Sequence, residues 1–143
     1  MDDLTIRRAD RADRDALLGL AQELGTSFVV AAEAFDRSLD AALADDGGVV
    51  LVADQGGGVI GYLLASVHQK FFANGPVAWI EELMADPRAR RHGVGRALVS
   101  ACEAWARDRG VVMVTMATRR AGDFWIAVGY EPSATYHRKL LAD

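Results

Sequence analysis

The segment best suited to chemistry runs from Arg90 to Gly95 and consists of Arg-Arg-His-Gly-Val-Gly. It directly precedes the strongest helical pattern of the chain, and a helix start presents unpaired backbone N–H groups and a partial positive charge. Glycines lack a Cβ atom, so an anion can approach these amides closely. The arrangement favours a small polyanion, with a diphosphate as the natural ligand. A solvated basic surface and ordinary turn chemistry are the simpler interpretations.

Two neighbouring carboxylates, Glu81 and Glu82, lie on the strand-like run Val77 to Asp86, just before this segment. A carboxylate within direct or one-water reach of a primary ammonium can remove its proton as the nitrogen attacks an acyl group. Successive strand residues point to opposite faces, so only one of the pair is expected to face a cleft unless a bulge intervenes. The alternative is that both are solvent-facing carboxylates, because such charges are rarely fully buried.

The same residues argue against several other kinds of site. The lysine and Ser/Thr of a Walker motif are missing after the glycines, and the third glycine of a dinucleotide fingerprint would fall at Leu98. The single cysteine, Cys102, lies on the apolar stripe of a helix and is interpreted as a core residue rather than a nucleophile. Three separated histidines do not form a metal-ligating pattern, so we expect no metal site.

Composition predicts one globular domain over residues 1–143. The chain is 51% hydrophobic and 25% charged, which is typical of folded soluble proteins. The net charge is −4, and residues 1–54 hold 12 acidic and 5 basic residues. An overall acidic chain disfavours extended nucleic-acid binding. No apolar run is long enough to cross a membrane, and the acidic start Met1-Asp2-Asp3 is unlike a secretory signal, so we expect a cytoplasmic protein.

Hydrophobic periodicity predicts the element order β-α-α-β-β-β-α-β-α-β. The first helix is expected between Asp10 and Gly25, and the second to end at Gly47-Gly48. The glycine-rich segment Gln55 to Gly58 predicts an antiparallel hairpin. The predicted strands are Leu4 to Ala9, Val49 to Asp54, Val59 to Lys70, Val77 to Asp86, Val111 to Ala117 and Ala134 to Leu141, and the later helices are Gly93 to Arg109 and Ala121 to Val128.

Residues 90–95 resemble the coenzyme motif of the GNAT superfamily of N-acetyltransferases, which has the form Arg/Gln-x-x-Gly-x-Gly/Ala. Arg90, Gly93 and Gly95 occupy its fixed positions. The preceding strand from Ile80 to Pro87 and the later block from Phe124 to Tyr130 also resemble the family, as does Arg96-Ala97-Leu98 after the motif. The element order agrees over nearly the whole chain.

The resemblance implies a GNAT-like α/β (α+β) fold with a mixed, mostly antiparallel central sheet flanked by helices. It also implies that acetyl-coenzyme A lies in a V where the strands Val77 to Asp86 and Val111 to Ala117 splay apart. Thr118 stands where family members often carry an asparagine. The residues implied in coenzyme binding are Met84, Ala85, Arg90, Arg91, His92, Gly93, Val94, Gly95, Arg96, Thr118 and Trp125.

We expect direct attack of an amine on the thioester in a ternary complex rather than an acyl-enzyme, because a Gly-x-Ser-x-Gly nucleophile elbow is missing and nothing around Cys102 suggests an activated thiol. Glu81 is the expected general base and Glu82 its neighbour, and a backbone N–H near Ala85 is expected to stabilise the oxyanion. Trp125 occupies the position where family members usually carry a tyrosine that protonates the leaving thiolate. Indole is not a practical acid, so the leaving thiolate departs unaided or takes a proton from water, or from Tyr130 or Tyr136.

The acceptor is expected to be a small-molecule amine or a peptide amine. Residues Thr26 to Ala32 and Phe71 to Pro76 should border it, with Trp79, Tyr62 and His68 on nearby strands. The acidic first third favours a cationic amine such as a polyamine, an amino sugar or a basic peptide end. Neither nucleic acid nor membrane is expected as a partner, and a homodimer is left open. The alternatives are a non-catalytic acyl-coenzyme A sensor and a nucleotide-binding module.

Overall fold

The computed structural model describes residues 3–25, 28–89, 92–119 and 121–142. Its strands are β1 (Leu4–Arg8), β2 (Gly48–Gln55), β3 (Gly58–His68), β4 (Val77–Ala85) and β5 (Met113–Met116). Its α-helices are α1 (Arg14–Leu24), α2 (Ala32–Ala44), α3 (Val94–Asp108) and α4 (Gly122–Ala127). Short 3₁₀ helices at Arg11–Asp13 and Pro87–Ala89 precede α1 and α3.

The five strands form one sheet in the order β1-β2-β3-β4-β5. The first three neighbouring pairs are antiparallel and β4 pairs with β5 in parallel. The β2–β3 hairpin turns at Gly56 and Gly57, whose φ angles of 62° and 84° suit glycine and a tight hairpin turn. The predicted mixed, mostly antiparallel α/β fold is therefore confirmed.

Helices cover both faces of the sheet because alternate strand residues are apolar on both sides. Val49, Leu51 and Ala53 of β2 belong to the core cluster that includes the buried face of α3. Val50 and Val52 belong to a second cluster that includes residues of α1 and α2. The two clusters bury opposite faces of one strand, as its period of two requires. The sheet thus separates an α1–α2 side from an α3 side.

Cys102 lies fully buried on the α3 side of the sheet. Burial raises the pKa of its thiol to about 12, and the nearby charge of Glu103 adds to the shift. A thiol with that pKa stays protonated near neutral pH and is a poor nucleophile. The interpretation of Cys102 as a core residue is confirmed.

The prediction of a final strand over residues 134–141 was wrong. The structure describes residues 131–142 without a strand, and their side chains are exposed, including Leu141 at 93%. Ala134, Tyr136 and Leu140 would share one strand face, but Arg138 interrupts that face and Leu141 falls on the other, so the segment has no continuous apolar face. Without one apolar face there is little burial to hold the segment on the sheet edge. Strand β5 is also shorter than predicted, since Val111 N–H instead bonds the carbonyl of Ala106 at the end of α3.

A partly buried ion pair fixes the start of α1 against the sheet. Arg7 on β1 donates two 2.9 Å hydrogen bonds to Asp13 and contacts Asp54 on β2 at 3.2 Å. Asp13 also accepts the backbone N–H of Asp10, whose own side chain caps the 3₁₀ helix. The bonds from Arg7 hold the pKa of Asp13 below its usual value. The predicted cap at Asp10 is confirmed, although it begins the 3₁₀ turn rather than α1 itself.

Candidate active site

The sheet opens between β4 and β5. Their parallel ladder runs from Val77–Met113 to Ile80–Met116, whereas β4 continues to Ala85 and pairs there with Gly61 of β3. In the described part of the chain, β5 therefore lines only the first half of β4. The second half, from Glu81 onward, has no paired strand on this side among the described residues, and we refer to this opening as the gap. It lies where the resemblance implies the V that holds the coenzyme.

A β-bulge lies where this gap begins. Ala65 of β3 pairs with Ile80 and the adjacent Leu64 pairs with Glu82, so Glu81 is an extra residue in β4. An extra residue shifts the side-chain alternation by one position. Without the bulge Glu81 and Glu82 would point to opposite faces, and with it both turn toward the α1–α2 side.

The contacts of the two carboxylates agree with that orientation. The Tyr62 hydroxyl donates a 2.6 Å hydrogen bond to Glu82 Oε1, and Tyr62 is buried in the cluster beneath α1 and α2. Oε1 of Glu81 lies 3.6 Å from Nε2 of His68, which shares the strand parity of Tyr62. That distance is too long for a hydrogen bond but lies within the range of an ion pair. Burial, together with the neighbouring Glu82, raises the pKa of the Tyr62 phenol.

The start of α3 lies at the open end of the gap. A Cβ atom at Gly61 would come within 2.9 Å of Cγ1 of Val94 and 3.0 Å of the Met84 carbonyl, so only glycine lets α3 pack this close. Since Gly61 pairs with Ala85, the first turn of α3 sits beside the end of β4. The helix N-terminus therefore lies near the end of β4 that extends beyond the ladder with β5.

The structure describes residues 92–95 of the coenzyme motif. Gly93 is the N-cap of α3, in the left-handed region at φ 77°, and no atom would crowd a Cβ there. Its carbonyl accepts the N–H of Ala97, while Val94 is buried. The side chains of His92 and Arg96 are exposed, as expected of groups that meet a charged ligand. Arg90 and Arg91 lie outside the described residues.

A packing contact explains why residue 95 is glycine, and the sequence alone did not reveal this contact. A Cβ atom there would lie 3.2 Å from the ring of Phe124 on α4. The absence of a side chain therefore lets α4 approach α3, whether or not a ligand also uses the space. This contact joins the first turn of α3 to α4.

This contact predicts the effect of Gly95→Val on stability. A valine would press on Phe124, and overpacking of this kind costs about 1–3 kcal/mol. We therefore expect a clear loss of thermal stability, measured by calorimetry, beyond the helix-propensity change. The matched control is Gly19→Val in α1, where an added Cβ would meet no atom within 4 Å. Equal losses in the two variants would contradict the assigned packing role.

Four further candidates differ in their surroundings. Met84 is buried in the α1–α2 cluster, whereas Ala85 packs against the α3 cluster. The Thr118 hydroxyl accepts the backbone N–H of Ala121 at 3.0 Å, so it also closes the turn before α4. Trp125 is only 6% exposed. That burial leaves little of the indole exposed, and the implied role of Trp125 in coenzyme binding stays a prediction.

The tyrosine next to Trp125 is already engaged. The Tyr130 hydroxyl donates a 2.9 Å hydrogen bond to Glu103 on α3, and its ring packs edge-on against Trp125 at 5.0 Å. Burial and the Glu103 carboxylate raise the pKa of this phenol. Tyr130 is therefore a weaker acid than a free tyrosine. Tyr136 is exposed in the segment after α4.

A cavity of about 450 Å³ lies on the α1–α2 side of the sheet. Its walls come from α1, α2, the connection Phe28 to Ala31 and strands β2 to β4, and its lining includes Tyr62 and Glu82. The expected border at Thr26 to Ala32 thus supplies part of the wall, although Thr26 lies outside the described residues. The other expected border, Phe71 to Pro76, does not line the cavity because it joins the far ends of β3 and β4.

Sequence reasoning missed this cavity. Its α1 and α2 residues were interpreted as core, and periodicity cannot distinguish a filled core from a hollow one. A weak signal was present in the connection between the helices, where Phe28 and Val29 are apolar in a loop. The described residues hold no cluster of three metal-ligating side chains, and no described helix is long and apolar enough to span a membrane.

Comparisons with known proteins agree with this geometry. The model of the "Acetyltransferase (GNAT) family" matches residues 17–130. Glucosamine-6-phosphate N-acetyltransferase from Arabidopsis thaliana is 21% identical at a TM-score of 0.85, over 99% of this chain and 100% of its own. Aminoglycoside N-acetyltransferase AAC(6')-Iy in complex with CoA is 22% identical at a TM-score of 0.86, over 97% of this chain and 96% of its own.

A third solved structure has a different description. A transcriptional regulator from Bacillus halodurans C-125 is 20% identical at a TM-score of 0.88, over 97% of this chain and 100% of its own. A search of curated protein sequences found no match. At these identities the solved structures establish the fold alone, and the family assignment rests on the family model.

Proposed function

Because the chain belongs to the acetyltransferase (GNAT) family, we propose that it transfers an acetyl group from acetyl-coenzyme A to an amine by direct attack. The observation that carries the proposal is the bulge at Glu81, which turns two carboxylates toward one face where the sheet opens. A coenzyme sensor without catalysis would need the gap and the helix start, but it would not need carboxylates gathered beside them.

The shape of the opening supports the coenzyme assignment. Past Ile80, β4 has β3 on one side and the gap on the other, so an amide-containing pantetheine arm can lie along it as an added strand would. The first turn of α3, from Val94 to Arg96, offers backbone N–H groups to a diphosphate at the wide end. Arg90, Arg91 and His92 are proposed to add positive charge there.

In the proposed reaction Glu81 accepts the proton of the attacking amine. A primary ammonium has a pKa of about 10.4 and is mostly protonated at neutral pH, so a nearby base is needed. The nitrogen forms a bond to the acetyl carbon, the carbon–sulfur bond breaks, and coenzyme A leaves as a thiolate. Glu82, already bonded to Tyr62, is proposed to hold the amine rather than deprotonate it.

The leaving thiolate is proposed to depart without a tyrosine acid. Trp125 is buried among Phe124 and Tyr130, and the Tyr130 proton is committed to Glu103. A thiol resembling cysteine has a pKa of about 8.5, well below that of the attacking ammonium. Expulsion of the thiolate is therefore easier than return of the amine.

A cytoplasmic location remains a prediction from the sequence.

Coenzyme binding can be tested by thermal stability with acetyl-coenzyme A, coenzyme A and ATP at matched ionic strength. A ligand at about 100 times its dissociation constant adds roughly 2.7 kcal/mol to the stability of the folded state. We expect both coenzymes to raise the melting temperature and ATP to have a smaller effect. No shift with either coenzyme, or a larger one with ATP, would reject the proposed ligand.

A further inference from the structure

The cavity that Glu82 lines has mostly apolar walls. Most of its lining side chains are aliphatic or aromatic, contributed by α1, the connection after it, α2 and the sheet. Among the described lining residues Glu82 is the only charged one. The volume of about 450 Å³ lies within the range that small-molecule sites occupy. Such a space accepts an apolar group together with one cationic or hydrogen-bonding end.

The carboxylate of Glu82 defines where that polar end must lie. Tyr62 donates its hydroxyl to Oε1, which fixes the carboxylate at the sheet wall of the cavity. The second oxygen can accept an N–H of a bound ammonium in a charge-assisted hydrogen bond. Since Glu81 directly precedes Glu82 on the same face, an ammonium held by Glu82 lies close to the proposed base.

The acidic first third of the chain does not supply further cation sites at this cavity. Five of its carboxylates pair with arginines of the same region. Asp13 and Asp54 bind Arg7, and Asp36 and Asp15 bind Arg14, while Asp40 binds Arg11. No carboxylate of residues 1–54 is among the described lining of the cavity, so the negative charge of this region does not itself place a polyamine there.

The mouth of the cavity also favours an apolar acceptor. Phe28 is 62% exposed and Val29 is 97% exposed, and both belong to the lining. Exposed apolar side chains around a concave site indicate a surface that a ligand covers. A polyhydroxylated amine would instead place hydroxyls against these walls without partners, and each unpaired group costs about tenfold in affinity.

From these observations we propose that the acceptor is a primary amine carrying an aryl or alkyl group, which fills the cavity while its nitrogen meets Glu82. The inference rests on the proposed acetyltransferase function. It distinguishes this chain from a protein built for amino sugars. An extended acyl chain on the coenzyme could also fill an apolar space, and the test separates that occupant from an amine.

The test measures binding and transfer separately. Butylamine, hexylamine and 2-phenylethylamine are compared with glucosamine and spermidine, by calorimetric titration and by acetyl transfer from acetyl-coenzyme A. Each added methylene should tighten binding about three- to fourfold. Weaker binding of all apolar amines than of glucosamine or spermidine would overturn the proposal. A preference for hexanoyl- over acetyl-coenzyme A, with no amine selectivity, would also overturn it.

Two exposed phenylalanines provide a matched pair of variants. Phe28→Ser changes the mouth of the cavity, whereas Phe72→Ser, at a residue 75% exposed in the β3–β4 connection, changes a residue outside it. We expect the first to weaken 2-phenylethylamine binding about tenfold or more and the second to leave it unchanged. Equal effects would contradict the assignment. Apolar amines that bind selectively but are never acetylated would leave the cavity assignment standing and reject the proposed function.

Discussion

Glu81→Gln is expected to lower acetyl transfer by about a hundredfold to ten-thousandfold, since general-base catalysis typically contributes that much. Glutamine keeps the size of the side chain but cannot accept the proton. The Glu81 side chain is partly exposed and makes no hydrogen bond with His68, so the variant should fold normally. The quantity to measure is the single-turnover rate on enzyme saturated with acetyl-coenzyme A.

The rate deficit of Glu81→Gln is expected to depend on pH. As pH rises toward the amine pKa of about 10.4, more of the acceptor is already neutral and the base matters less. The deficit of Glu81→Gln should therefore shrink at alkaline pH. Glu82→Gln is the matched control, and its effect should appear mainly in KM because Glu82 is proposed to hold the amine. A larger loss of kcat in Glu82→Gln would reverse the two roles.

Trp125→Ala is expected to lower the free energy of unfolding by about 3–5 kcal/mol, the usual range for removing a large buried aromatic side chain. The indole packs edge-on against both Phe124 and Tyr130, at 5.2 Å and 5.0 Å between ring centres. Its loss would leave a cavity where α4 meets the core. Denaturant unfolding measures the change.

Trp125→Tyr separates packing from acid catalysis at the same position. Tyrosine is smaller, so stability should fall, but the single-turnover rate should not rise, because departure of the thiolate is not expected to limit the reaction. Phe124→Leu is a control that disturbs the same packing without adding a phenol. A clear rate increase in Trp125→Tyr alone would show that protonation of the leaving group limits turnover.

Much of the fold could be predicted because local signals agree with burial. The hairpin at Gly56-Gly57 has the residues that its positive φ angles require, and α3 has one continuous apolar stripe. The segment Ala134 to Leu141 has β-type residues without one apolar face, and the structure leaves it off the sheet. Strand formation depends on a partner and on something to bury, and neither can be read from residue types alone.

The residues of the site could be identified from the sequence, whereas their contacts and orientations could not. The glycines of the coenzyme motif and the two glutamates could be identified because their types and spacing carry the resemblance. The common orientation of Glu81 and Glu82 depends on the pairing of Leu64 with Glu82, which is a property of two strands together. The contact of Gly95 with Phe124 and the cavity behind Glu82 depend on how helices distant in sequence pack.

The central claim is acetyl transfer to an amine at the opening between β4 and β5, with Glu81 as the base. The most direct measurement follows free coenzyme A thiol and acetylated amine together, by thiol titration and mass spectrometry, with 2-phenylethylamine as acceptor. We predict equal amounts of the two products in the parent protein and a severe loss of both in Glu81→Gln. Coenzyme binding without release of thiol for any amine of the panel, or equal rates in the two proteins, would contradict the account.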